Sequence, residues 1–363
     1  MNRPIRTIFS LWCGNAAFER LIMVTRLLKA DDNILDEAAE LLKSGGIAAI
    51  PTETVYGLAA NAYDVEAVRS VFRAKGRPQD NPLILHISSI DMLHDIAVTV
   101  NPLALSLAEC FWPGPLTMIF PRKPHVPAET CGGLDTAAVR MPNNRFTLKL
   151  IERCGFPVAA PSANTSGKPS PTSAAHVLAD MDGKIPLIID GGECRFGVES
   201  TVIAFDSDDS VRILRPGAVT PEMLREHCNV AIDGGVLEKL APDAVVRSPG
   251  MKYKHYSPNA EVYILKGDDA QTARFMREHG NAGFLGSGNE DLPESVTVFP
   301  YGAEPLQQAE NLFASLRKAD EAGCSEVYVR MPDTAGIGLA VYNRLLRAAG
   351  FRIIDAGGSD ALQ

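Results

Sequence analysis

Several short stretches of this 363-residue chain gather polar side chains suited to anions and hydroxylated ligands. The first, Pro51-Thr52-Glu53-Thr54-Val55-Tyr56-Gly57, follows an apolar run ending at Ile50. Thr52 and Thr54 are two apart, so in an extended segment both face the same side. The second is Lys75-Gly76-Arg77-Pro78, with Asn81 close behind and His86 at the end of the next strand pattern. Two cations around a glycine make an anion site or, alternatively, a solvated helix C-terminus. The third runs from Ala159 and Ala160 through Pro161, Ser162, Ala163, Asn164, Thr165 and Ser166 to Gly167. Its small residues let a ligand approach the backbone, while Ser162 and Asn164 offer a hydroxyl and an amide. Glu199-Ser200-Thr201 and Arg215-Pro216-Gly217 add a hydroxyl pair and another cation at strand ends.

The common nucleotide signatures are missing. No GxxxxGK[ST] occurs, because Ser162 stands where the leading glycine of NTSGKPS would be needed, and no GxGxxG follows a strand. Neither HExxH nor GxSxG is present. A nucleotide would need another cradle.

The elements that must position these residues alternate along the chain. Asp31 or Asp32 caps a helix whose apolar residues Ile34, Leu35, Ala38, Leu41 and Leu42 keep a 3.6 period until Gly45-Gly46. IAAIPTETV reads as a buried strand running into polar residues. Further helices are expected over 64–74, 102–110, 145–154, 173–181 and 221–228. Strands are expected over 83–87, 116–120, 137–141, 157–160, 187–190, 200–204 and 211–214. Strands outnumber helices, which predicts a twisted mixed sheet with helices packed outside. The stretch PDAVVRSPGMKYKHYSPNA, with no periodicity and several prolines, reads as a linker, although a plain spacer would be Gly/Ser-rich rather than tyrosine-rich. Beyond it a second βα series predicts a small, open, Rossmann-like α/β sheet. The division expected is an extension over 1–26, a catalytic domain over 27–241, a linker or lid over 242–259 and a C-terminal domain over 260–363.

Composition narrows the class. The chain is 46% hydrophobic and 22% charged, an ordinary globular balance, and it has no apolar run long enough to span a membrane. The 35 Lys+Arg against 44 Asp+Glu leave a net charge of −9, which argues against a protein that coats nucleic acid and leaves at most transient RNA contact. The cysteines, Cys13, Cys110, Cys131, Cys154, Cys194, Cys228 and Cys324, form no CxxC, so no zinc knuckle, redox motif or disulfide framework is visible and a cytoplasmic location is expected. The first residues faintly resemble a signal peptide, but Glu19 and Arg20 interrupt them; an extension before a start near Met23 is the reading preferred.

In order, the segments PTETVYGLAANA, KGRPQDNPL, WPGPLT, VRMP, PSANTSGKPSPT, GVESTVI and RPG resemble the threonylcarbamoyl-AMP synthase family of the YrdC/YwlC type. The resemblance covers about 27–218, and SPGMKYKHYSP with the following α/β domain resembles the two-domain form. It implies a nucleotidyltransferase that joins L-threonine, bicarbonate and ATP into threonylcarbamoyl-AMP and pyrophosphate. A separate tRNA threonylcarbamoyl transferase complex would use the product to modify adenosine in tRNA. By the same resemblance Lys75 and Arg77 are the catalytic cations, and Mg²⁺ accompanies ATP without a protein metal site. Arg77, Asn81, Thr136, Ala160, Ser162, Asn164, Ser170, Arg215, Ser248 and Tyr256 would contact ATP. Thr52, Thr54, His86, Arg140 and Ser200 would hold threonine; a buried, satisfied His86 is the competing reading. Lys252, Tyr253, His255 and Tyr256 would fold over the pocket as a lid. The rival from another class is a module binding double-stranded or ribosomal RNA, which the net charge and the lack of interleaved aromatic and basic residues oppose.

Overall fold

The structure is a computed structural model and describes residues 23–238, 255–280 and 282–358. Ser248, Lys252, Tyr253, most of the expected linker and the first 22 residues lie outside them. Among the described residues the first unit comprises β1 (Arg26–Lys29), α1 (Leu35–Lys43), β2 (Ala48–Ile50), β3 (Gly57–Asn61), α2 (Val65–Lys75), β4 (Ile84–His86), α3 (Ile90–Ile96), α4 (Pro102–Phe111), β5 (Leu116–Pro121), β6 (Thr136–Arg140), α5 (Arg145–Cys154), β7 (Val158–Ala159), α6 (Ala174–Met181), β8 (Leu187–Asp190), β9 (Thr201–Phe205), β10 (Ser210–Arg215), α7 (Pro221–Arg225) and β11 (Asn229–Ile232).

Helix boundaries follow local chemistry. Asp64 accepts from the amides of Glu66 and Ala67 to start α2, and Gly76, at φ 63°, ends it in the left-handed conformation that glycine adopts without penalty. Asn144 caps α5 in the same way, each such cap contributing about 1 kcal/mol. The strands assemble in the order β1-β8-β2-β3-β7-β4-β6-β5-β9-β10-β11, mixed as expected. Parallel pairing of β4 with β6 sets His86 beside Arg140, and antiparallel pairing of β4 with β7 brings Ala159 against Leu85.

One expected strand is shorter than read. The apolar run stops at Ile50, because the Thr52 hydroxyl accepts from the Thr54 and Val55 amides and bends the chain. The chain returns as β3, antiparallel to β2 with Ile50 opposite Gly57. The helix expected over 221–228 ends at Arg225, and β1, β3, α3 and β11 were not foreseen. β1 is largely exposed and carries no alternating pattern to read.

The second unit comprises β12 (Glu261–Lys266), α8 (Asp269–Glu278), β13 (Gly283–Gly286), β14 (Thr297–Pro300), α9 (Pro305–Glu321), β15 (Glu326–Arg330), α10 (Gly338–Ala348) and β16 (Ile353–Asp355). Its sheet is parallel throughout, in the order β14-β13-β15-β12-β16. α8 packs with Phe284 and Tyr328, whereas α9 and α10 share an apolar cluster with Val55 and Val198 of the first unit. The face bearing α9 and α10 is therefore turned toward the polar segments of the first domain. No helix among the described residues is long and apolar enough to cross a membrane.

Candidate active site

Thr52, Thr54, Lys75, Arg77, His86, Arg140, Ala160, Ser162, Asn164, Ser170, Ser200, Arg215 and Tyr256 line one cleft. Strand ends account for the convergence: Thr52 follows β2, His86 ends β4, Arg140 ends β6, Ala160 follows β7, Ser200 precedes β9 and Arg215 ends β10. Gly217 permits the last of these approaches, since a Cβ there would fall 2.3 Å from the Thr201 nitrogen and 2.6 Å from the Glu199 carbonyl oxygen.

The side chains form two hydrogen-bonded groups. In the first, the Thr52 and Thr54 hydroxyls lie 2.9 Å apart, although the segment is a turn rather than the extended run expected. Arg140 donates to Thr54 Oγ1 at 2.9 Å and to the Gly114 carbonyl at 3.2 Å, and its guanidinium pairs with Glu53. Arg215 donates to both the carbonyl and the hydroxyl of Ser200, each at 3.1 Å, and Thr117 shares a hydrogen bond with that hydroxyl. His86 is buried, with Nδ1 donating to the Ile84 carbonyl at 3.2 Å. Burial and the nearby Arg140 bring its pKa down to about 3, so the ring is neutral at physiological pH.

The second group is built around Lys75. Its ammonium, wholly buried, donates to the carbonyls of Ser162 and Asn164, the latter at 2.6 Å. Burial, followed by the charge of Arg77, pushes the Lys75 pKa well below the ordinary lysine value. Lys75 thus braces the small-residue loop from behind as well as lining the cleft. Arg77 is partly buried and reaches the Pro82 carbonyl at 3.2 Å.

Glu199 joins the two groups. Its carboxylate accepts from Ser170 and from Arg344 of α10 (2.6 Å), and Ser200 is the next residue. Burial raises the Glu199 pKa, but Arg344, Arg215 and the Ser170 hydrogen bond outweigh that and hold it below the usual carboxylate value. Sequence reading gave Glu199 and Glu53 no role, because their partners lie 145 and 87 positions away. His255 was read as part of a lid; it too lines the cleft, its pKa brought to about 3 by burial and by Arg77.

Two expected contacts stand apart from the lining residues. Thr136 opens β6, four positions before Arg140, and the β4–β6 register continued backward places it level with Pro82 at the outer edge. Asn81 is buried, and its side-chain oxygen has no hydrogen-bond partner among the described residues. No group of three or more His, Cys, Asp or Glu among the described residues could hold a metal ion.

Comparison with known proteins places this geometry. A family model described as Telomere recombination matches residues 40–217, and one described as Threonylcarbamoyl-AMP synthase, C-terminal domain, matches 219–350. The second match begins within segments whose strands belong to the first sheet. A threonylcarbamoyl-AMP synthase of Pyrococcus abyssi is 47% identical over 326 residues, covering 87% of this chain and 94% of the relative. One of Bacillus subtilis is 41% identical, covering 91% and 97%. The crystal structure of P. abyssi Sua5 complexed with L-threonine superposes with a TM-score of 0.83 at 44% identity, covering 92% of this chain and 98% of that one. Near-complete coverage of relatives and fold across both units leaves one conclusion: the chain belongs to the threonylcarbamoyl-AMP synthase family.

Proposed function

We infer that the cleft joins L-threonine, bicarbonate and ATP into L-threonylcarbamoyl-AMP and pyrophosphate. The amine of threonine takes up the carboxyl carbon of bicarbonate as a carbamate, with loss of water. The carbamate oxygen then attacks the α-phosphorus of ATP, and pyrophosphate leaves with the electron pair of the broken P–O bond. Mg²⁺ enters with ATP as part of the substrate.

The observation that carries this reading is the meeting of two unlike groups in one cleft. The paired Thr52 and Thr54 hydroxyls, Ser200 and the buried Arg140 suit a small hydroxylated amino acid with a carboxylate. The loop of Ala160, Ser162 and Asn164, with Arg77 alongside and Arg215 across the cleft, suits a nucleotide and its phosphates. Such transfer depends on positioning and charge neutralisation rather than on a covalent intermediate, which fits a site whose cysteines stand outside the lining. His86, neutral, serves as a hydrogen-bonding wall and not as a cation.

The cavity is tight, about 60 Å³, with His255 and Tyr256 standing against it. In this reading the two residues move with a lid that keeps water from a hydrolysable carbamate. The product, a mixed anhydride, requires a downstream acyl acceptor, supplied in this reading by a transferase complex acting on adenosine in tRNA.

The test is pyrophosphate release from the full chain with MgATP, with the product identified by its mass. Release should require threonine and bicarbonate together. Equal release with alanine, or without bicarbonate, would overturn the reaction.

A further inference from the structure

Two arginines of the C-terminal domain are buried against the nucleotide loop from outside the cleft. Arg344 of α10 is fully enclosed: Nε donates to Glu199 Oε2 at 2.6 Å and Nη2 to the Glu199 carbonyl at 3.3 Å. The other carboxylate oxygen of Glu199 accepts from Ser170 Oγ. Arg317 of α9 forms a two-pronged ion pair with Asp180, at 3.2 and 2.9 Å, and donates to the Pro169 carbonyl. Asp180 accepts in turn from the Thr165 amide at 3.1 Å. The loop that presents Ser162, Asn164 and Ser170 is thus fastened at Thr165 through Asp180, at Pro169 directly and at Ser170 through Glu199.

We propose that Arg344 and Arg317 are positioning residues, through which the C-terminal domain sets the geometry of the nucleotide subsite. The proposal rests on the functional reading above, in that Ser162, Asn164 and Ser170 are taken to meet ATP. Neither arginine lines the cleft, so each acts through the loop and not on the ligand. Each uses the planar fork of guanidinium to hold two acceptors at once, a carboxylate and a backbone carbonyl, which a single ammonium does not reproduce. Both lie on buried helix faces among mostly apolar residues, Arg317 one turn beyond Phe313 and Arg344 one turn beyond Ala340, with Asn343 accepting a further hydrogen bond from Arg344. An arginine there needs a buried partner, and both partners belong to the other domain.

The test uses the full chain with Arg344→Lys and Arg317→Lys. Lysine keeps the charge, so neither Glu199 nor Asp180 is left as a lone buried anion, but it removes the fork. Loss of one such bond corresponds to about tenfold or more. The expected result is a folded enzyme, by circular dichroism and melting temperature, with KM for ATP raised about tenfold and KM for threonine changed less than twofold. A purely structural role reduces the fraction of active protein, lowering the apparent kcat with both KM values unchanged, and that result overturns the proposal. An unchanged KM for ATP in folded variants does the same. If Arg344→Lys fails to fold, Arg344→Gln takes its place, and if Arg317→Lys fails, Asp180→Asn/Arg317→Gln does; a wild-type KM for ATP in the replacement overturns the proposal and a raised one supports it. Wild-type chain assayed in parallel separates the two readings, since absence of threonine-dependent pyrophosphate release there counts against the reaction and not against the loop.

Discussion

Arg140 and Glu53 meet beside the cleft as a buried ion pair, Nη2 to Oε1 2.7 Å apart. The cation expected to receive the substrate carboxylate is therefore already matched, and threonine would share Arg140 with Glu53. Removing one member leaves the other as an unpaired buried charge. Arg140→Ala should lower unfolding stability by about 3–5 kcal/mol, and Arg140→Met/Glu53→Gln should regain most of it. Urea unfolding of the three proteins decides this; a single variant as stable as wild type would place the pair in contact with water.

Lys75 and Arg77 should separate in their effects. Lys75 holds two loop carbonyls, so Lys75→Met is expected to lose both turnover and about 1–3 kcal/mol of stability. Arg77 is only partly buried at the mouth of the loop, so Arg77→Ala should keep the fold while losing about 2–4 kcal/mol of transition-state stabilisation. Steady-state rates with melting curves give both quantities. Full turnover in Arg77→Ala would remove it from the reaction.

Stability should fall on mild acidification. His86 and His255 have pKa values of about 3 when folded against 6.5 as the ordinary value. Between those limits the unfolded chain binds protons that the folded chain refuses, so stability is highest above pH 6.5 and drops as pH falls toward 3. His176, which burial and then Arg317 bring down to about 4, is a third such group, and three give a slope approaching about 4 kcal/mol per pH unit. Glu199, whose folded pKa is lowered, adds a loss of the same sign below its ordinary 4.5. Urea midpoints from pH 8 to pH 5 should track this, and His86→Gln/His255→Gln should remove about two thirds of the slope, leaving the part that belongs to His176. A level midpoint in wild type would mean that these rings protonate freely.

Closure of the 255–258 segment has its own signature. The Ser257 amide donates to the Gly167 carbonyl at 2.8 Å, and its hydroxyl donates to Ala348 at 3.1 Å. Hydrogen exchange at Ser257 should slow when ATP and threonine are added together. Exchange that ignores both ligands would make the segment a fixed tether.

Much of this could be read from the chain because it is local. Asp64 and Gly76 bound α2 through their own neighbours, and Asn144 and Gly155 do the same for α5. The resemblance likewise rested on contiguous segments. What escaped was pairing across distance. The bend at Thr52 depends on one hydroxyl that competes with strand pairing. Arg317 and Arg344 received no role from the sequence, yet each recurs at the spacing of the buried stripe, and that misplaced polarity was the available sign. Their partners, Asp180 and Glu199, lie 137 and 145 positions earlier, beyond any periodicity.

Tyr256 carries a further consequence. It is buried with φ at 63°, its ring stacked on Phe313 at 5.3 Å and under the Arg344 guanidinium at 5.5 Å. A side-chain-bearing residue in this conformation bears a backbone penalty of about 1–3 kcal/mol, tolerated while the ring stays seated. Were the ring to leave, the dihedral could relax, so this seated arrangement would carry part of the drive for its own opening. In the proposed reaction, the time a carbamate stays sheltered would then depend on one aromatic stack set against one torsion angle.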